Sequence, residues 1–268
     1  MKEFADKEGT GERGGKFEVG FAQQAKPSRL HPNWQRRGNM DKDHPELGPV
    51  YIEDVAIVKP EKGIFAVLDG VDETWGHSDR VARISASVIE ETLATSQKLD
   101  SDREAIMRLA FQEARTKISE DGDEGKTTAS VVWSRELPSG QYELTIGHIG
   151  DGSIYTLNKN TGVVSVETER QRTVHSVVEK VIVENWIGRG ADSRKINQSD
   201  QIRTIIVDPS TRLLLCTDGT IGALQDEELT DEEISRCLRT GTPQEAADAL
   251  IATSKTDDDK TALVIDLK

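Results

Sequence analysis

The stretch "GIFAVLDGV", residues 63–71, is an apolar run that stops on a carboxylate and a glycine. Residues 213–221, "LLLCTDGTI", end in the same way. Both read as buried strands, and an isolated ionised carboxylate is costly to bury unless it is paired, hydrogen-bonded or holding a metal. Singly, an Asp-Gly pair is a common turn. Two of them, each closing a buried strand, ask for a common cause.

The bulk composition limits what that cause can be. The chain has 268 residues, 35% hydrophobic and 31% charged, enough for a sizeable core. With 34 Lys and Arg against 48 Asp and Glu, the formal charge is −14. Such a surface repels phosphate backbones, which argues against nucleic acid and anionic membranes as partners. A phosphorylated substrate would need a local cationic site to overcome that field. Cys216 and Cys237 have no metal-ligand spacing and read as small buried hydrophobes in a reducing compartment. No apolar run approaches the ~18 residues of a membrane span. The segment "MKEFADKEGTGERGGK" carries charges where a signal peptide has its apolar stretch, so a cytoplasmic location is expected.

Residues 1–16 are polar and Gly-rich and are expected to be a disordered tail, leaving 17–268 as a single domain. "KFEVGFA" alternates Phe17, Val19 and Phe21 as a strand does, and residues 26–49 form a long Pro-rich loop. "VYIEDVAIV" and "GIFAVLDG" pair as strands across "KPEKG". A helix is expected from Ser78, with Val81, Ile84 and Val88 on one stripe. A second opens on a capping box from Ser101 to Glu104 and buries Ile106, Leu109, Ala110, Ala114 and Ile118. Strands follow at 127–133, 141–149, 152–157 and 162–167, the middle two broken at Gly150-Asp151-Gly152. Residues 170–185 are ambiguous, with a helix as the reading offered. Strands at 202–207 and 212–216 lead to the second Asp-Gly. Two helices then start on capping boxes, Thr230 to Glu233 and Thr242 to Glu245, before a last strand "TALVIDL". Two packed, mostly antiparallel sheets covered by helix pairs would account for this α+β pattern. His148, on a strand face with Tyr142, Leu144 and Ile146, reads as a core residue.

Acids gather at the strand ends: Glu53-Asp54, Asp69-Gly70, Asp151, Asp218-Gly219 and Asp257-Asp258-Asp259. Oxygen ligands of this kind suit Mg²⁺ or Mn²⁺, and neither histidine nor cysteine spacing argues for zinc. A bridging carboxylate can hold two such ions about 3.5–4 Å apart, an arrangement that favours in-line attack on phosphorus.

The motifs "IEDVAIVKPEKGIFAVLDG", "TTASVVW", "IGHIGDGSIYTL", "LLLCTDGTIG" and "DDKTALVI" occur in the order found in the metal-dependent Ser/Thr protein phosphatases of type 2C, and residues 50–266 resemble that family. The resemblance implies a four-layer αββα sandwich and hydrolysis of phosphoserine or phosphothreonine in proteins by a metal-bridging hydroxide. It implies two Mn²⁺ or Mg²⁺ ions, with a third in several members. Asp69 would bridge the two metals and, with Asp54, serve catalysis, while Gly70 would offer its backbone carbonyl. Asp218 and Asp258 would hold the first metal, Glu53 and Asp54 would reach the ions directly or through water, and Asp151 would match the third-metal acid. The implied partner is a phosphorylated protein, such as a Ser/Thr kinase or its target.

The chain departs from the family pattern where the substrate phosphate is gripped. The family's arginine five residues before the Asp of the Glu-Asp pair is Pro49 here, and the Gly of its Gly-Thr-Thr-Ala motif is Lys126. Arg36 or Arg37 could supply the missing guanidinium, and His77 could act as general acid. The alternative reading is a pseudophosphatase, which holds metal and binds phosphoprotein with little turnover.

Overall fold

The computed structural model describes residues 16–24, 52–71, 78–96, 102–123, 125–175, 180–183, 186–188, 201–222 and 228–268. Its strands are β1 (Phe17–Gln24), β2 (Val55–Lys59), β3 (Ile64–Leu68), β4 (Lys126–Thr127), β5 (Ala129–Glu136), β6 (Tyr142–Ile149) and β7 (Ser153–Asn158). They continue with β8 (Val164–Val166), β9 (Arg172–His175), β10 (Lys180–Val183), β11 (Ile187–Gly188), β12 (Gln201–Val207), β13 (Thr211–Cys216) and β14 (Lys260–Leu267). The helices are α1 (Ser78–Thr95), α2 (Arg103–Asp121), α3 (Asp218–Ile221), α4 (Asp231–Leu238) and α5 (Pro243–Thr253).

Two five-stranded antiparallel sheets dominate, one in the order β12-β6-β5-β3-β2 and the other β1-β14-β13-β7-β8. Strand β3, IFAVL, and the LLLC run of β13 are apolar without interruption because both faces of each sheet are covered. In β3, Phe65 and Val67 point inward to meet Leu213, Leu215, Leu263 and Ile265 of the other sheet. The alternate residues Ile64, Ala66 and Leu68 face α1 and α2, against Ile89, Leu93, Met107 and Phe111. On the opposite side, Leu214, Cys216 and Val264 pack on Ile234 and Leu238 of α4 and Leu250 of α5. The result is the four-layer αββα sandwich that the chain pattern suggests. Each buried Leu or Ile contributes about 1.5–3 kcal/mol of apolar transfer.

The helix starts follow sequence closely, with one shift. Both Thr capping boxes form, Thr230 with Glu233 and Thr242 with Glu245, and Pro243 takes the first turn of α5. In α2 the cap is Asp102, not Ser101: its Oδ1 accepts from the Glu104 and Ala105 backbone N–H groups. Leu109 of that helix is 44% exposed, contrary to expectation, while Met107 and Phe111 are buried. The buried stripe turns toward positions 107 and 111 and away from 109. The helix is anchored by Arg103, which donates to the Trp133 carbonyl at 2.7 Å with its guanidinium 3.5 Å from the Trp133 ring centre.

Within 170–185, the described residues form no helix. They contribute β9 and β10, paired antiparallel with Lys180 opposite His175. The expected strand at 50–58 begins only at Val55, and the turn after it is a short 3₁₀ helix, Pro60–Lys62, closed by Gly63 at φ 61°. The expected tail and the long loop 26–49, with Arg36, Arg37 and Pro49, lie outside the described residues, as does His77.

Candidate metal centre

Antiparallel register carries the separate acids to one end of the sandwich. Val55 pairs with Leu68, so Asp54, entering β2, lies beside Asp69, leaving β3. Cys216 pairs with Ala262, which sets Asp218 beside the turn that enters β14. Asp151 occupies the break between β6 and β7, after Gly150 at φ 101°. One carboxylate oxygen each from Asp69, Asp151 and Asp218 lies within 4.8 Å of the others.

Both Asp-Gly pairs owe their glycine to close backbone approach, since neither needs a positive φ. A Cβ on Gly70 would come within 2.9 Å of the Glu53 Cβ and 3.1 Å of the Ser78 carbonyl carbon. On Gly219 it would stand 1.7 Å from the Asp259 carbonyl oxygen, which no side chain tolerates. The turn reading of Asp-Gly therefore gives way to a packing reason. The β3 end is held further by the Asp69 carbonyl, which accepts from Thr128 N at 2.9 Å and Thr127 Oγ1 at 2.7 Å.

Asp54 sits behind this trio, 6% exposed. Thr217 Oγ1 donates to its Oδ2 at 3.0 Å, whereas its Oδ1 is buried and receives no hydrogen bond among the described residues. Burial lifts the Asp54 carboxyl to about 7, with Asp259 pushing the same way against the stabilising contacts of Thr261, Asp69 and Thr217. Asp69 is raised well above the carboxylate range, by burial first and then by the charges of Asp54 and Asp218, with Asp151 adding to them. Crowded carboxylates with a buried orphan oxygen suit a multivalent cation, and the all-oxygen donor set fits Mg²⁺ or Mn²⁺.

The remaining acids are more peripheral. Asp259, 9% exposed, accepts the Glu53 backbone N–H at 2.8 Å and so ties the β14 turn to the β2 entry. Asp258 is exposed and accepts the Asp259 N–H at 2.9 Å. It is not part of the 4.8 Å trio, although its Cβ lies 3.4 Å from where a Gly219 Cβ would be. The charge run signals acids at this turn without saying which of its members is buried.

Several supporting residues carry no sequence signal. Gln23 of β1 donates to the Asp54 carbonyl at 3.2 Å and to Thr261 Oγ1 at 3.1 Å. Arg170 donates to the Asp151 carbonyl at 2.8 Å, to the Gly222 carbonyl at 2.7 Å and to Glu228 at 3.1 Å. His148, by contrast, is the core residue that its strand face indicates in sequence: it is fully buried, bonded to Ser130 Oγ and the Gly150 carbonyl, each at 3.0 Å. Burial lowers its imidazole to about 4, which leaves it neutral behind the acids.

The comparisons with known proteins agree with this geometry. No curated protein is similar enough in sequence to match the chain. Among solved structures, the PPM Ser-Thr phosphatase MsPP from Mycobacterium smegmatis, in complex with cacodylate, superposes with a TM-score of 0.63 at 18% identity, covering 93% of this chain and 98% of its own. PppA, a key regulatory component of the T6SS in Pseudomonas aeruginosa, gives 0.67 at 17%, covering 94% and 98%. The catalytic domain of the serine/threonine phosphatase PstP, in complex with two manganese ions, gives 0.63 at 16%, covering 94% and 98%. At these identities the likeness is one of fold. The sequence model for protein phosphatase 2C matches residues 54–253, most of the chain, so this chain belongs to the protein phosphatase 2C family.

Proposed function

We propose that the chain hydrolyses phosphoserine or phosphothreonine in proteins, using Mn²⁺ or Mg²⁺ held by the acid centre. The observation that carries this reading is the convergence of Asp69, Asp151 and Asp218 within 4.8 Å, with Asp54 buried behind them. Asp69, placed between Asp54 and Asp218, is the acid best situated to be shared between two ions, with Gly70 offering its carbonyl. Asp218 and Asp258 would hold one ion, Asp151 would serve a third, and Glu53 and Asp54 would act directly or through water. Such ions supply charge neutralisation at the phosphoryl oxygens and a water acidic enough to attack at neutral pH. The acids of the centre would hold the ions, while the buried residues beneath them exclude solvent and Thr217 orients Asp54. Because the net charge is −14, the attraction for a phosphoprotein, a kinase or its target among the candidates, has to arise at this centre.

Turnover of p-nitrophenyl phosphate tests the reading. Mn²⁺ should support hydrolysis, and EDTA or Asp69→Asn should abolish it. Activity that persists through both refutes a metal mechanism.

A second reading, a pseudophosphatase, is favoured by Pro49, which stands where the family pattern has a phosphate-gripping arginine. It expects Mn²⁺ binding by calorimetry without turnover, and a gain of activity in Pro49→Arg. Arg36 and Arg37 are the candidates for a substitute grip under the first reading. If either is used, its replacement by Ala raises KM and leaves Mn²⁺ affinity unchanged.

A further inference from the structure

We propose that Arg170 is a positioning residue that fixes Asp151 and Asp218 relative to each other, a role that rests on the metal reading above. The pairing of β7 with β13 ends at Ser153 opposite Cys216 and brings the two acids to the same end of the sheet. Both lie two residues beyond that last pair, Asp151 in the turn before β7 and Asp218 at the start of α3, so the ladder does not fix their final spacing. Arg170 supplies a link there. Its Nε donates to the Asp151 carbonyl at 2.8 Å and its Nη2 to the Gly222 carbonyl at 2.7 Å. Gly222 in turn donates its N–H to the Asp218 carbonyl at 2.7 Å, which closes a continuous path between the two acids.

The fork is itself held in place. Nη1 bonds Glu228 at 3.1 Å, and the Arg170 side chain is only 16% exposed. The next residue, Gln171, brackets the Asp151 turn: its N–H donates to the Gly150 carbonyl at 2.8 Å and its Oε1 accepts the Gly150 N–H at 3.0 Å. A planar guanidinium satisfies two carbonyls at a fixed angle, whereas an ammonium on a flexible stem does not. Arg170 acts on backbone and not on the carboxylates, so it sets spacing without competing for the cation. Partners one step removed from a metal orient its ligands, and their loss is felt in affinity before it is felt in the fold.

Calorimetric Mn²⁺ titration of the full chain tests this, using Arg170→Lys, Asp151→Asn and the double variant. Arg170→Lys should weaken Mn²⁺ binding about tenfold. In the Asp151→Asn background the same change should cost less than about threefold, because the acid it positions is already gone. Thermal unfolding without metal serves as the control for a merely structural role, which shifts both backgrounds alike. Equal losses of affinity in the two backgrounds, or no loss in either, overturn the proposal. A wild-type chain that takes up no Mn²⁺ refutes the metal reading itself, and this proposal with it, a result no Arg170 variant can mimic. Should Arg170→Lys fail to fold, Glu228→Gln, at a position whose side chain is 34% exposed, replaces it. A loss of about threefold in Mn²⁺ affinity then supports the role, and unchanged affinity overturns it.

Discussion

The two ends of the β13–β14 strand pair both bury aspartate, and they treat it in opposite ways. At one end Asp266 stands directly across from Arg212. Nε donates to Oδ1 at 2.6 Å and Nη2 to Oδ2 at 2.8 Å, while the rest of the guanidinium satisfies the carbonyls of Leu238, Thr240 and Gly241. Burial pushes the Asp266 carboxyl up, but Arg212 outweighs it and, with Lys159, holds the group below its usual value. About 20 Å away along the strands, the other end gathers Asp54, Asp69, Asp151 and Asp218 and raises the first two. The same residue type at similar burial is thus a structural ion pair where the chain supplies the cation. Where burial and neighbouring acids raise Asp54 and Asp69, a cation from outside would relieve them.

The sharpest way to break that contrast is to remove the chain's own cation. Arg212→Met strands a buried carboxylate and three carbonyls, and should cost about 3–5 kcal/mol in urea unfolding. A loss under about 1 kcal/mol would show that the pair is not structural. A pH titration sharpens the other end. The His148 imidazole falls from 6.5 in the open chain to about 4 when folded, so the unfolded state binds the proton more readily. Its share of stability is therefore lost as pH drops through that window, roughly 3 kcal/mol in total, while the raised Asp54 and Asp69 shift stability the opposite way. The difference between wild type and His148→Gln isolates the His148 share, and a difference that does not change with pH means that the acids nearby already neutralise a charged His148.

The remaining tests act on the missing cation directly. Mn²⁺ at about 100 times its Kd should raise wild-type stability by about 2.7 kcal/mol. Asp69→Asn should lose that response in a thermal-shift measurement, and Arg212→Met should keep it. Without metal, Asp69→Asn should be more stable than wild type by on the order of 1 kcal/mol, since it relieves repulsion that only a cation otherwise relieves. If the variant is instead less stable, the acid end is built for structure, like the other.

Much of this was legible in sequence, and the exceptions have physical causes. Runs such as "IFAVL" and "LLLC" announce strands covered on both sides, and the Thr-x-x-Glu caps fix α4 and α5 to the residue. The segment containing β9 and β10 is ambiguous in sequence because valines recur at 174, 177, 178 and 181, a helical spacing. Val174 and Val181 pair across the two strands, the outcome that β-branched side chains favour. Leu109 misled because a helix stripe has two possible flanks, and only tertiary packing chooses between them. Of the centre, the acids themselves could be read from strand ends. Arg170, Gln23 and Thr217 could not, because their roles depend on contacts with residues remote in the chain that no local pattern encodes.

The register that sets Phe17 opposite Leu267 also governs when the centre can exist during synthesis. Among the described residues, strand β1 pairs with β14 alone, and Gln23 reaches Asp54 and Thr261 from that pairing. On the ribosome, the first strand must wait for the last, and this non-local closure is slow to form. Asp54 and Asp218 therefore gain their final surroundings together, in the closing step. A nascent or truncated chain lacking β14 and the turn that enters it leaves Asp54 without Thr261 and Gly219 without the Asp259 carbonyl against which it packs.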